Sequence, residues 1–268
     1  MNLFERTVTQ IRHNRFLENT DWLWDRLRPL YEKTLELTQR KGLKRMINGV
    51  DPVLIDPRFR QVTGEYEPAM WHSIMSRAEP GNLVVDVGAF IGLYTVALAR
   101  RVGLGGRVIA IEPDPENFAG LVRHVKLNGV GGQTQCVQKA VGRSSGRSRF
   151  AAGRSSESTV SRDAEESIEI EMTSLDDLLG TESVDIMKID VEGYELDVLL
   201  GGRELLNDPQ RRPSAVLVEL HPYAWENPGE VLEEITNVLS TANYRLTDST
   251  GSTPTDLQAV DWLIATAT

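Results

Sequence analysis

The chain predicts an α/β fold built on a mostly parallel sheet covered on both faces. Three observations carry that prediction. From residue 82 onward, short and nearly continuous apolar segments alternate with segments of helical spacing, the pattern of strands buried on both sides by their crossover helices. Two of these strands run into glycine-containing turns with carboxylates at their tips, VVDVGAFIGLYT (84–95) and IMKIDVEGYELDVLLGG (186–202). The last two strands, YRLTDST (244–250) and AVDWLIATA (259–267), are joined by a link too short for a helical crossover and should pair antiparallel.

Taken in order, residues 1–40 read as helical, with Leu23, Leu27 and Leu30 at helical spacing beside Trp22 and Trp24. In 43–60, Asn48-Gly49 separates two short apolar runs, a hairpin signal. Pro68, after Glu67, marks a helix start in EYEPAMWHSIMSRA. The alternating part follows: strand NLVVDVG, helix AFIGLYTVALARRV, strand RVIAIEP, helix NFAGLVRHVKLNG and strand TQCVQKAVG. Residues 142–166, rich in Ser, Arg and Gly, read as a loop or ragged hairpin. IEIEMT alternates, and SLDDLLG is a short helix in which Ser174 precedes Asp177 at capping-box spacing. Strand VDIMKID, helix EGYELDVLLGG, strand AVLVELHP and helix PGEVLEEITNVLSTAN lead to the terminal pair. The division expected is an N-terminal helical and hairpin extension over 1–64 and a ligand-binding domain over 65–268.

Composition narrows the partners. With 268 residues, 40% hydrophobic and 25% charged, the chain has ordinary globular make-up. A net charge of −10 argues against nucleic acid, whose binders carry a basic face. The single cysteine, Cys136, excludes an intrachain disulfide and fits a reducing compartment. The N-terminus lacks a continuous apolar leader, and the run VGAFIGLYTVALA is too short to span a bilayer. The expectation is a cytoplasmic protein without a membrane span, acting on a small molecule.

The first glycine turn points to a nucleotide-type ligand. Gly88 and Gly92 sit where a backbone must approach a ligand, with Ala89 and Phe90 between them, Asp86 at the strand end and Glu112-Pro113 ending the next strand. A carboxylate at that second tip can accept hydrogen bonds from a ribose diol. A dinucleotide would need G-x-G-x-x-G, and Asp86 would repel its pyrophosphate. S-adenosylmethionine, with adenine, ribose and a cationic tail, fits better. The bland alternative is that the glycines only permit tight strand–helix packing.

VVDVGAFIGLYT, VIAIEPDPENFAGLVRHVKLN, TSLDDLL, VDIMKIDVEGYELDVLLGG and VLVELHP together resemble the FkbM-type methyltransferases, over most of residues 65–225 and in the family's order. The resemblance implies a class I methyltransferase Rossmann-like fold, a mostly parallel seven-stranded sheet with an antiparallel last strand, and S-adenosylmethionine as methyl donor. It also implies transfer to a hydroxyl of a sugar, glycolipid or polyketide-type acceptor. Carried onto this chain, Asp86, Gly88 and Gly92 would shape the turn under the methionine part, Glu112 would bind the ribose, and Ala140 would lie by the adenine with Lys139 at its rim. Phe90 stands where the family often has Asn. Glu67, in the Y-E-P element, could reach the donor's ammonium or cap the helix.

Asp190 and Glu192 end one strand, and Glu219 and His221 end the next, so one sheet edge receives all four beside the donor. An alcohol is a poor nucleophile, so a base is useful; His221 has a suitable pKa range, and a carboxylate could serve instead or orient it. His221 could also simply fix the turn before Pro222, and Glu192 could serve a helix N-terminus. D-x-E plus E-x-H is compatible with Mg²⁺ but does not demand it. Two rival readings stand beside the O-methyltransferase: an NAD-dependent oxidoreductase, and a non-catalytic scaffold that binds S-adenosylmethionine. Trp22, Trp24 and Tyr31 could face an acceptor, the core or a second subunit of a homo-oligomer.

Overall fold

A computed structural model describes residues 41–151, 167–254 and 260–268. The N-terminal helical segment with Trp22, Trp24 and Tyr31 lies outside the described residues, as does part of the 142–166 segment. The Asn48-Gly49 hairpin forms as expected from β1 (Leu43–Ile47) and β2 (Asp51–Ile55). Its turn residues both take positive φ, 49° and 74°, as a hairpin turn of matching twist requires.

The main sheet has seven strands. They are β3 (Leu83–Val87), β4 (Arg107–Ile111), β5 (Thr134–Val137), β9 (Ile186–Ile189), β10 (Ala215–Glu219), β11 (Tyr244–Asp248) and β12 (Trp262–Ala267), in the order β11-β12-β10-β9-β3-β4-β5. All neighbours pair parallel except β12, which inserts antiparallel between β11 and β10. This is the mostly parallel, seven-stranded fold expected, and its strand order reverses between β3 and β9, which pair side by side. A ligand crevice opens beyond the carboxyl ends at such a reversal.

Strand periodicity sorts the core. One apolar cluster takes Val84, Val108, Ile186, Leu217 and Ile264, packed under α1 (Pro68–Met75), α2 (Leu93–Val102), α3 (Pro115–Leu127) and the hairpin. The other takes Val85, Ile109, Met187, Val216 and Leu263, under α4 (Leu175–Leu179), α5 (Glu195–Leu200), α6 (Arg203–Asn207) and α7 (Pro228–Thr241). Because side chains alternate faces, Asp86, Lys188 and Asp190 point to the first cluster's side, and so does Glu219, two residues on from Leu217. The register pairs Asp86 directly with Lys188.

Three boundaries differ from the sequence reading. TQCVQKAVG is two strands, β5 and β6 (Ala140–Val141), broken at the polar pair Gln138-Lys139. β6 joins β7 (Gly146–Ala151) and β8 (Ser167–Thr173) in a separate three-stranded sheet of order β6-β8-β7, so the ragged segment begins as a strand. Helix α2 starts only at Leu93, because Phe90 and Gly92 hold positive φ of 50° and 83° and keep the chain in a turn. The Ser174 cap forms as expected, its hydroxyl accepting from the Asp177 amide at 3.1 Å.

Candidate active site

A cavity of about 350 Å³ opens at the carboxyl ends of β3, β4, β9 and β10, within the range of small-ligand pockets. On the side of β4 and β6 the lining is Ile111, Ala140 and Val141, with Asn117 and Lys139 beside them. Acidic lining comes from Glu67, Asp190, Glu192 and Glu219. Glu112 and Pro113 also line the cavity.

Gly88 lines the cavity. A Cβ there would stand 1.6 Å from the Asp190 carbonyl oxygen, so only glycine lets the tips of β3 and β9 meet. Phe90, left-handed like Gly88, donates its amide to Glu112 Oε2 at 2.8 Å, and Asp114 donates to Oε1 at 3.0 Å. These two donors hold a buried carboxylate in place, but burial still pushes Glu112 up to about 7. Its oxygens retain acceptor capacity toward the cavity.

Four expected residues do not line the cavity; one is His221, which is buried behind the rim carboxylates Asp190, Glu192 and Glu219. Gly92 is needed elsewhere: a Cβ would meet Leu121 Cδ1 at 2.5 Å, so this glycine serves the packing of α2 against α3. Ala89 is buried behind the turn, its amide donating to Ile111 O. Asp86 is fully buried, accepts from Thr95 Oγ1 at 2.6 Å and lies 3.7 Å from Lys188 Nζ. Burial pushes its carboxyl up, with Lys188 opposing. Asp86 therefore reaches the cavity only through Lys188.

Lys188 is the internal cation of this acidic lining. Its ammonium donates to Asp190 Oδ2 at 2.9 Å and to Gly88 O at 3.4 Å, and sits 5.0 Å from the centre of the Tyr94 ring. Burial works against that charge, but Asp190, Asp86 and Glu67 outweigh it and hold Lys188 protonated. Glu67 occupies the helix N-cap at φ 39° but makes no side-chain cap bond. Its carboxylate instead accepts from Tyr94 OH at 2.8 Å and lines the cavity. Capping is thus not its role, and burial raises its pKa.

The β9 and β10 tips do converge. His221 Nε2 lies 3.5 Å from Glu192, 3.8 Å from Glu219 and 3.9 Å from Asp190. The turn before Pro222 uses only the His221 backbone carbonyl, which accepts from Ala224, leaving the ring free for other contacts. Its Nδ1 meets Glu195 Oε1 at 2.6 Å. Glu195 is wholly buried and also accepts from the Gly193 amide at 2.8 Å and Trp225 Nε1 at 3.1 Å.

Glu195 was not among the residues singled out from the sequence. Its signal was visible: Glu195 shares the inner face of α5 with Val198 and Leu199, at i+3 and i+4, so a carboxylate stands in an apolar stripe. Burial disfavours an imidazolium, yet the Glu195 bond and the charges of Glu192 and Asp190 prevail and raise His221 to about 9. That corrects the near-neutral value expected for an isolated ring. Glu219, buried among Asp190 and Glu67, is raised to about 8. Glu192 also rises through burial, while accepting from Tyr223 OH.

Asp190, Glu192 and His221 place one ligand atom each within 4.8 Å of one another. The donors fit Mg²⁺ poorly. That ion demands near-octahedral oxygen coordination, whereas Lys188 holds one Asp190 oxygen and the third donor is a nitrogen.

The sequence profile of the methyltransferase FkbM domain matches residues 86–246, more than half of the chain. The chain belongs to the FkbM methyltransferase family. Within the FkbM match fall Gly88, Glu112, Asp190, Glu195, Glu219 and His221; Glu67 lies just before it. Hexuronic acid methyltransferase AglP of Haloferax volcanii is 27% identical over 189 residues, covering 69% of this chain and 72% of that protein. Methyltransferase 1 of Beauveria bassiana is 28% identical over 146 residues, 45% of this chain and 58% of the fungal protein, so the match spans less than two thirds of that relative. Among solved structures, the FkbM methyltransferase of Methylobacillus flagellatus aligns with a TM-score of 0.48 and 21% identity over 69% of this chain and 43% of that one. No helix among the described residues is long and apolar enough to cross a membrane.

Proposed function

We propose that this FkbM methyltransferase transfers a methyl group from S-adenosylmethionine to a hydroxyl of a sugar or secondary-metabolite acceptor. The observation that carries the reading is the polarity of the cavity. Apolar side chains for adenine, buried Glu112 for a ribose diol, and four carboxylates for a sulfonium and ammonium line a single groove. The NAD reading has no support from the family match, and a scaffold would have no use for an imidazole buried against Glu195. The sugar acceptor is supported by the name of the haloarchaeal relative alone.

Bound S-adenosylmethionine supplies an electrophilic methyl carbon. The chain's residues do the rest. Glu195 accepts the Nδ1 proton of His221 and thereby selects the tautomer whose Nε2 lone pair faces the rim. That lone pair takes the acceptor's hydroxyl proton as the oxygen attacks in line. In the ligand-free protein, His221 holds a proton at neutral pH; a cation entering beside Asp190 and Glu192 favours its release. Lys188 fixes Asp190 and keeps the acidic rim from collapsing by self-repulsion. No step requires Mg²⁺, and the donor set disfavours it.

The direct test is calorimetric titration with S-adenosylhomocysteine in EDTA, with NAD⁺ as control. Micromolar binding of S-adenosylhomocysteine with no NAD⁺ signal supports the reading. Absence of S-adenosylhomocysteine binding refutes it.

A further inference from the structure

A second cavity, of about 470 Å³, adjoins the first and shares two residues with it, Glu67 and Glu219. Its walls come from the first turn of α1, the end of β11 and the start of β12. The shared carboxylates stand between the two spaces, and Glu219 lies 3.8 Å from the His221 nitrogen. A molecule seated in the second cavity would therefore meet Glu67 and Glu219, the two side chains that also face the donor groove.

The chemistry of this second space is one-sided. Four carboxylates line it, Glu67, Glu219, Asp248 and Asp261, together with the hydroxyl residues Ser249 and Thr250. The wall contains no lysine or arginine among the described residues. Two cations near it among the described residues are held elsewhere. Lys188 lies over the Trp262 ring, 5.9 Å from its centre, and is committed to Asp190 and Asp86. His221 is committed to Glu195. Asp248 is locked in its turn, Oδ1 accepting from the Thr250 amide at 2.8 Å and the Ser252 amide at 3.0 Å, so it keeps its charge facing this region. Met70, Val260 and Trp262 add apolar surface between the polar groups.

We infer that this second cavity is the acceptor subsite and that its ring of carboxylates selects a neutral or cationic polyhydroxylated acceptor, such as a neutral or amino sugar, against an anionic one. Carboxylates and hydroxyls can accept and donate hydrogen bonds to sugar hydroxyls. An anion in the same place would meet the carboxylates of Asp248 and Asp261 with no counter-ion in the wall among the described residues, the repulsive element by which specificity is commonly built. A hexuronic acid, named for the haloarchaeal relative, carries such an anion. The acceptor of this chain therefore differs in charge from that relative's. The inference rests on the methyltransferase reading, because the groove beside it must hold the donor.

The test uses the full chain saturated with S-adenosylhomocysteine at pH 7.5. Methyl β-glucopyranoside, methyl glucosaminide and methyl glucuronoside are titrated separately, with binding read by saturation-transfer NMR and calorimetry. The expected result is binding of the first two, with the glucuronoside at least tenfold weaker. Asp261→Lys, at an exposed position that leaves the core intact, should narrow or reverse that ratio without changing the affinity for S-adenosylhomocysteine. Equal or tighter binding of the glucuronoside overturns the inference, as does failure of all three sugars to bind while S-adenosylhomocysteine binds. Failure of S-adenosylhomocysteine itself would overturn the donor reading and this inference with it.

Discussion

Glu112 offers the sharpest test of the donor groove, because its chemistry sets the pH range in which the protein can bind. Its two oxygens accept from the amides of Phe90 and Asp114, and burial raises it to about 7. On the donor reading proposed above, a ribose diol would donate to the carboxylate, which makes the ionised form the competent one. The sign follows: a raised acid is protonated below its folded pKa, so donor affinity falls as pH drops through about 7. If only the ionised form binds, affinity falls roughly tenfold at pH 6 and roughly a hundredfold at pH 5 relative to pH 8, since each unit is about 1.4 kcal/mol. Near pH 7, binding should release about half a proton from this group.

Calorimetry of S-adenosylhomocysteine at each pH, in buffers of different ionisation enthalpy, reads both quantities. Other rim acids titrate in the same direction, notably Glu219 at about 8, so the Glu112→Gln variant assigns the Glu112 component by difference. That variant also sets an amide NH₂ against a backbone donor. Losing one buried hydrogen bond costs about 1–3 kcal/mol, so affinity at pH 8 should fall about 10- to 100-fold. An affinity flat from pH 5 to pH 8, or a Glu112→Gln variant that keeps the full wild-type slope, would refute this account.

Four further outcomes are expected. Gly88→Ala places a Cβ 1.6 Å from the Asp190 carbonyl oxygen and should destabilise the fold by about 3 kcal/mol or more, read by urea denaturation. Glu195→Gln removes the charge that holds the His221 ring and helps raise it to about 9; kcat should fall by about two orders of magnitude or more with S-adenosylhomocysteine affinity nearly unchanged, and the rising limb of the pH–rate profile should move to lower pH. Since the base must be neutral, the wild-type kcat/KM, which reports the free enzyme, should climb with pH, half-maximal near 9 and levelling above it. EDTA should leave the rate within about twofold of its value in Mg²⁺, the expectation when no step passes through an oxygen-coordinated ion.

Much of the scaffold was legible because strand periodicity and glycine turns are local. The buried strands, the Ser174 cap, the Asn48-Gly49 hairpin and the antiparallel terminal pair all follow from short stretches of chain. The break at Gln138-Lys139 was not, because nothing local distinguishes a strand that ends from one that crosses to a second sheet; the partner, β8, lies some thirty residues further on. The late start of α2 is similar. Phe90 at φ 50° is a conformation that sequence rarely announces, since aromatic residues seldom adopt it. The tertiary contact with Glu112 holds it there.

The site divides along the same line. Residues that end strands were found, because a carboxylate in an apolar run is conspicuous: Glu112, Asp190 and Glu219 all line the cavity. What the run could not reveal is which charges answer one another. Asp86 and Lys188 face each other only because β3 and β9 are in parallel register, and that pairing turns Asp86 from a ligand-facing acid into the buried support of a lysine. Glu195 meets His221 only because α5 folds back beneath β10's end. The acidic rim is therefore not a surplus of charge awaiting a metal. Lys188 offsets Asp86 and Asp190, the protonated His221 offsets Glu192, and burial favours the neutral form of Glu219. A cationic donor completes that balance, and by displacing the proton on His221 it would prepare the base in the act of binding.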